Sequence, residues 1–187
     1  MDFARDGRRI SLALLALAAL VLAAGAPGAP RAAAIPSGCW LGKGVHAGTF
    51  ASGPLKARVT SGTIQLHLWV GKAGTDAVGL LRTGGVGKGS LSMSGSKLTL
   101  TVVMKGRFDV TGTPVKLVVN GKDTWNGKAV GSGRFLTIPV SLQLPVKGAP
   151  LTIVAATPSR VTLRYGKAAF VATRVKTLPK PVGQLCG

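Results

Sequence analysis

His46 and His67, with Asp76, Asp109 and Asp123, are the imidazole and carboxylate groups available beyond the first thirty-four residues. A histidine and an aspartate beside a nucleophile would make a hydrolase. Two facing carboxylates would make a glycosidase, and a cluster of such groups would hold a metal. Their spacing supports none of these. No H-x-x-x-H occurs, and no G-x-S-x-G elbow. Asp76 and Asp123 stand beside turn-forming residues, where structural roles are expected. His67 falls on the polar side of an alternating stretch and His46 in a glycine-rich one, positions that suit solvated side chains. The stretch Gly84–Ser90 (GGVGKGS) looks like a phosphate loop, but Arg82 stands where the first glycine is required and Gly89 where Ser or Thr is required. The expectation is no catalytic residue, no metal and no cofactor. A hydrolase built on His46 or His67 with an aspartate is kept as an alternative.

Aromatic and basic side chains offer more. Trp69 lies opposite the apolar side of its stretch, and Trp125 lies between Asn120-Gly121 and Asn126-Gly127, a loop-like setting. Lys72, Lys122 and Lys128 flank them in sequence. An exposed indole among lysines can stack on a sugar or sit at a lipid interface. These five residues are the candidate ligand contacts, set against the alternative that the indoles fill a second packing surface. Trp40 is expected to pack against a disulfide at its neighbour Cys39.

Cys39 and Cys186 are the two cysteines, and neither belongs to a C-x-x-C. They are expected to pair with each other, which in the chain-entropy model is worth about 5 kcal/mol for a loop of this length. Such pairing belongs to an oxidising compartment. The start of the chain agrees. Arg5, Arg8 and Arg9 precede an apolar run from Ile10 to Ala24, then helix breakers, then Ala32-Ala33-Ala34. That order reads as a secretory signal peptide cut after Ala34. The run is shorter than the roughly 20 residues that a spanning helix needs. Retention as a membrane anchor is the lesser alternative. The expected organisation is a signal peptide, 1–34, and a single secreted domain, 35–187.

From Ile35 onward the chain keeps 20 Lys and Arg against three aspartates, a net charge of +17, and it has no glutamate. Such a charge steers anionic partners toward the protein, although lysines can also serve to keep sheet edges soluble.

The elements that must position these groups are strands. Ile64, Leu66, Leu68 and Val70 alternate with polar or less buried positions, as do Leu98, Leu100, Val102 and Met104. Ile138, Val140, Leu142 and Leu144 repeat the pattern, and so do Val161, Leu163 and Tyr165. A period of two marks half-buried antiparallel strands, and no segment after Ala34 sustains a helical period. Counting turn signals as breaks predicts roughly ten to twelve short strands in an all-β, antiparallel sandwich or barrel-like domain. Asn120-Gly121 is the best hairpin signal. Pro139 and Pro145 place their strand at an edge or a bulge. An echo links Gly62-Thr63…Gly71-Lys72 with Gly112-Thr113…Gly121-Lys122 at the same interval, as a duplicated β unit would.

These features predict an exported, non-enzymatic binding or structural module, attracted to anionic envelope polysaccharide or to lipid headgroups. The alternative is an extracytoplasmic carrier that holds an apolar ligand within curved sheets. Nucleic acid ranks last, because an export signal removes the usual partner. Sequence does not speak to oligomeric state.

Overall fold

In the computed structural model, residues 33–186 are described apart from 53, 94 and 132–136; the export signal expected over 1–34 therefore lies almost wholly outside the described residues. The domain is all-β. Its strands are β1 (Gly38–Ser52), β2 (Leu55–Val70), β3 (Ala77–Met93), β4 (Ser96–Thr113), β5 (Lys116–Val130), β6 (Thr137–Ala156), β7 (Arg160–Tyr165) and β8 (Ala168–Val175). One turn of 3-10 helix, Val182–Leu185, follows. Each strand pairs antiparallel with the next, and β8 returns to β1 to close a barrel.

The strand count is corrected downward because several turn signals lie inside strands. Asn120-Gly121 is not a hairpin. It sits within β5, where the register with β6 shifts between Val119 and Gly121. Asn120 Oδ1 accepts a hydrogen bond from the Gly148 amide at 2.8 Å, tying the irregularity together. A Cβ at Gly121 would run into the Arg107 carbonyl oxygen and Phe108 Cα, so close strand approach explains that glycine. Asn126-Gly127 and Gly84-Gly85 are likewise mid-strand. The sequence echo does not repeat a structural unit. Its first copy runs from inside β2 into the β2–β3 turn, whereas its second crosses the β4–β5 turn into β5.

The alternating stretches face inward as expected. Ile64, Leu66, Leu68, Leu81, Phe108, Val110, Leu163 and Phe170 fill one core with Trp40. A second core holds Leu55, Val59, Leu98, Leu100, Val102, Met104 and Trp125. The barrel is uneven. β8 pairs with β1 only over Cys39–Lys43, and β7 meets β6 only from Leu151 to Ala156. Beyond that level, among the described residues, β1 and β6 are each bonded on one side. An open seam runs between them. Pro139 and Pro145 lie on this singly bonded part of β6, where a missing N–H costs no ladder bond.

Cys39 and Cys186 are bonded, with Cα atoms 5.8 Å apart. The bond holds the segment after β8 across the outside of the barrel, where Leu178 and Val182 pack with Cys39 and Leu80. A disulfide fits an oxidising, extracytoplasmic setting. Among the described residues no helix is long and apolar enough to cross a membrane.

Trp40 corrects one expectation. Neighbouring strand residues point to opposite faces, so Cys39 faces out while Trp40 is fully buried inside, its Nε1–H donating to the Pro36 carbonyl at 3.0 Å. The indole packed with the disulfide group is Trp69, directly across from Cys39 in the β1–β2 register.

Candidate functional site

The five nominated contacts occupy three separate places. Trp69 and Lys72 line one cleft of about 380 Å³ beside the disulfide, together with Arg174 and Lys176. Trp69 is half-buried there, packed beside the disulfide group. Lys122 and Lys128 lie exposed on the outer face of β5. Trp125 is on the same strand but points the other way, 5% exposed within the second core. Its loop-like reading is thus corrected. Leu117, Val119, Asp123, Trp125 and Ala129 share one parity and one face, a pattern visible in sequence once Asn120-Gly121 is not taken as a break.

The outer face of β2–β5 gathers the cations. Arg82 on β3 stands directly across from Arg107 on β4, which stands directly across from Lys122 on β5. Further along the same face Arg58 on β2 opposes Lys88 on β3, with Lys128 beyond Thr101 in the same row. Lys105 lies between the rows, and all seven are exposed. Asp109, two residues along β4 from Arg107, is the acid on that face. Lys122 Nζ donates to Gln143 Oε1 on β6 at 3.4 Å, leaving the carboxylate count unchanged. Edge protection does not account for these positions, since β3, β4 and β5 are bonded on both sides through this region. Sequence reasoning missed Arg82 and Arg107, because only strand register reveals that they share a row with Lys122.

Inside the barrel a small polar group separates the two apolar cores. Thr83, Gly106 and Asp123 are consecutive across β3, β4 and β5. The Thr83 hydroxyl reaches over the glycine and donates to Asp123 Oδ1 at 3.1 Å. Burial raises the Asp123 carboxyl above its ordinary range, opposed by the Thr83 hydrogen bond and by the charge of His46. Tyr165, whose ring centroid is 5.7 Å from that of Phe108, is pushed up to about 12, first by burial and then by the Asp123 charge. The His46 Nδ1 is buried without a hydrogen-bond partner. His46 and Tyr165 also line a cleft of about 500 Å³ in the seam, together with Gly48, Val146, Ala149 and Lys167.

His67 is not a solvated side chain. It is 3% exposed on the outside of β2, on the strand that the C-terminal 3-10 turn packs against. Burial lowers its imidazole below the ordinary range, with Arg82 adding to the effect. Its Nε2 is buried without a hydrogen-bond partner. Among the described residues no three histidine, cysteine or acidic side chains stand together as a metal site would require. The arrangement therefore offers three things: a cationic outer face, a cleft by the disulfide, and a seam with polar groups at one end. No family model, curated protein or solved structure matches the chain.

Proposed function

We propose that the protein is an exported, non-enzymatic binding module that docks on anionic polymers or lipid headgroups of the cell envelope through the outer face of β2–β5. The observation that carries this reading is the row Arg82–Arg107–Lys122 across three doubly bonded strands. Like charges directly opposite each other destabilise a sheet. An anionic partner laid across the row turns that repulsion into attraction. Each cation near an anionic membrane surface is worth about 1 kcal/mol.

The test is cosedimentation with phosphatidylglycerol vesicles and retention on an anionic polysaccharide, across a salt series. Replacing Arg82, Arg107 and Lys122 together by serine is expected to weaken binding roughly a hundredfold. A control variant carries serine at the exposed Arg160, Lys176 and Lys180; it keeps most of the affinity. Equal losses in the two variants would make the attraction a matter of net charge and sink the assignment to this face.

A further inference from the structure

We infer that the seam between β1 and β6 is a binding groove for a free long-chain carboxylate, whose alkyl chain lies along β6 and whose acid group sits against Lys167. The groove is distinct from the cationic outer face and does not depend on it.

Four observations carry this. First, the inward-facing Ile138, Val140, Leu142, Leu144 and Val146 of β6 are only half-buried, whereas Leu98, Leu100, Val102 and Met104 on β4 are buried to 2% exposure or less. Among the described residues the apolar wall of the barrel is uncovered along one line. Second, a cleft lies at each end of that line. The cleft of about 500 Å³ takes in Val146 and Ala149, and another of about 300 Å³ takes in Ile138, Val140 and Leu142 opposite Leu55 and Leu91. Volumes of this order suit small organic ligands, roughly 300–1,000 Å³. Third, β1 carries no side chain at Gly48. Among the described residues a Cβ there would touch nothing but the His46 ring, at 3.5 Å.

The fourth observation selects the occupant. Two free strand edges invite a third strand, but β6 refuses one. Its register with β5 is unshifted from Thr137 to Val146, so Pro139 and Pro145 share one parity and turn the same side to the seam. Both lack the N–H that an added strand would need. An alkyl chain requires no such donor. Among the described residues that line the two clefts, the titratable groups Lys167, His46 and Tyr165 stand together at one end. The cation there complements an acid group, while Asp123 deeper inside disfavours one. The carboxylate therefore stays at the Lys167 end and the chain runs toward Ile138.

The experiment is fluorescence titration of the purified protein with dansyl-labelled undecanoic acid, displaced by decanoic, dodecanoic, tetradecanoic and hexadecanoic acids and by hexadecanol. Saturable binding of one probe per chain is expected, with affinity rising roughly fourfold for each CH₂ that the groove covers. Gly48→Phe fills the cleft and is expected to lower affinity at least about tenfold, the loss expected when several covered methylenes are displaced. Lys167→Glu, an exposed change that leaves folding intact, weakens the acids but not hexadecanol. The serine variant at Arg82, Arg107 and Lys122 binds the probe normally, so failure of the surface reading is separable from failure of this one. No saturable binding, indifference to chain length, unchanged affinity in a folded Gly48→Phe, or equal loss of acid and alcohol in Lys167→Glu would each overturn the inference.

Discussion

The Thr83 hydroxyl and the Asp123 carboxylate meet across an intervening strand, their 3.1 Å hydrogen bond spanning the space that Gly106 leaves empty. A Cβ at 106 would overlap both oxygens. Gly106→Ala is therefore expected to break the pair and destabilise the domain by about 1–3 kcal/mol, as overpacking does. Thr83→Val should cost a similar ~1–3 kcal/mol by leaving the carboxylate without its donor. Urea unfolding of both variants measures this, and a loss in neither would remove the pair from the account of stability.

Burial holds the Asp123 carboxyl above its ordinary range, so on acidification the folded protein takes up this proton before the unfolded chain does. Stability then rises as pH falls from the raised folded value toward the ordinary 3.8. Asp123→Asn should be more stable than the parent at pH 7, and the difference should shrink toward pH 4. Melting temperatures of the two proteins across that interval decide the point.

Tyr165 is the one tyrosine of the chain, so ultraviolet absorbance at alkaline pH reports it alone. Its midpoint should lie near 12 rather than 10. The folded state holds the phenolic proton longer than the unfolded chain, which makes stability fall as pH rises above 10. Asp123→Asn removes the second cause of the shift and should move the midpoint down. A midpoint of 10 in the folded protein would contradict the burial seen here.

His67 runs the opposite way. Its folded value is depressed, so its contribution is complete above the ordinary 6.5 and is lost as pH falls below it. His67→Leu should flatten that part of the stability curve. Hydrogen exchange in the segment from Leu178 to Cys186, compared at pH 7 and pH 5, should show faster opening at the lower pH in the parent alone.

Relieving the cationic row should trade affinity for stability. Arg107→Ser is expected to stabilise the domain by about 0.2–1 kcal/mol at low salt, with the gain shrinking as salt screens the repulsion. The same variant should bind anionic vesicles less well. Denaturation and cosedimentation on one preparation test both halves.

The fold class was legible because alternation survives wherever a strand has one wet face. Ile64, Leu66, Leu68 and Val70 on β2 all face the core, as their spacing requires. Chain breaks were less legible. A glycine in a sequence marks either a turn or a place where backbones crowd, and Gly121 and Gly127 are the second kind. Reading them as turns shortened β5 and moved Trp125 from the core to a loop. The disulfide was legible from cysteine number and position. The site was less so: whether Arg82, Arg107 and Lys122 adjoin is a matter of register, and register is set by pairing energies spread over whole strands.

Among the described residues seven of the eight ladders join strands that follow one another, and β1 with β8 is the exception. The chain can therefore zip up hairpin by hairpin, each step closing a short loop, until one slow, long-range encounter remains. That encounter brings Cys39–Lys43 to Val171–Val175, beside the site where Cys39 and Cys186 bond. The crosslink thus acts on the last step: once it is formed, the loop that β1 and β8 must close shrinks from nearly the whole domain to the stretch between Val175 and Cys186.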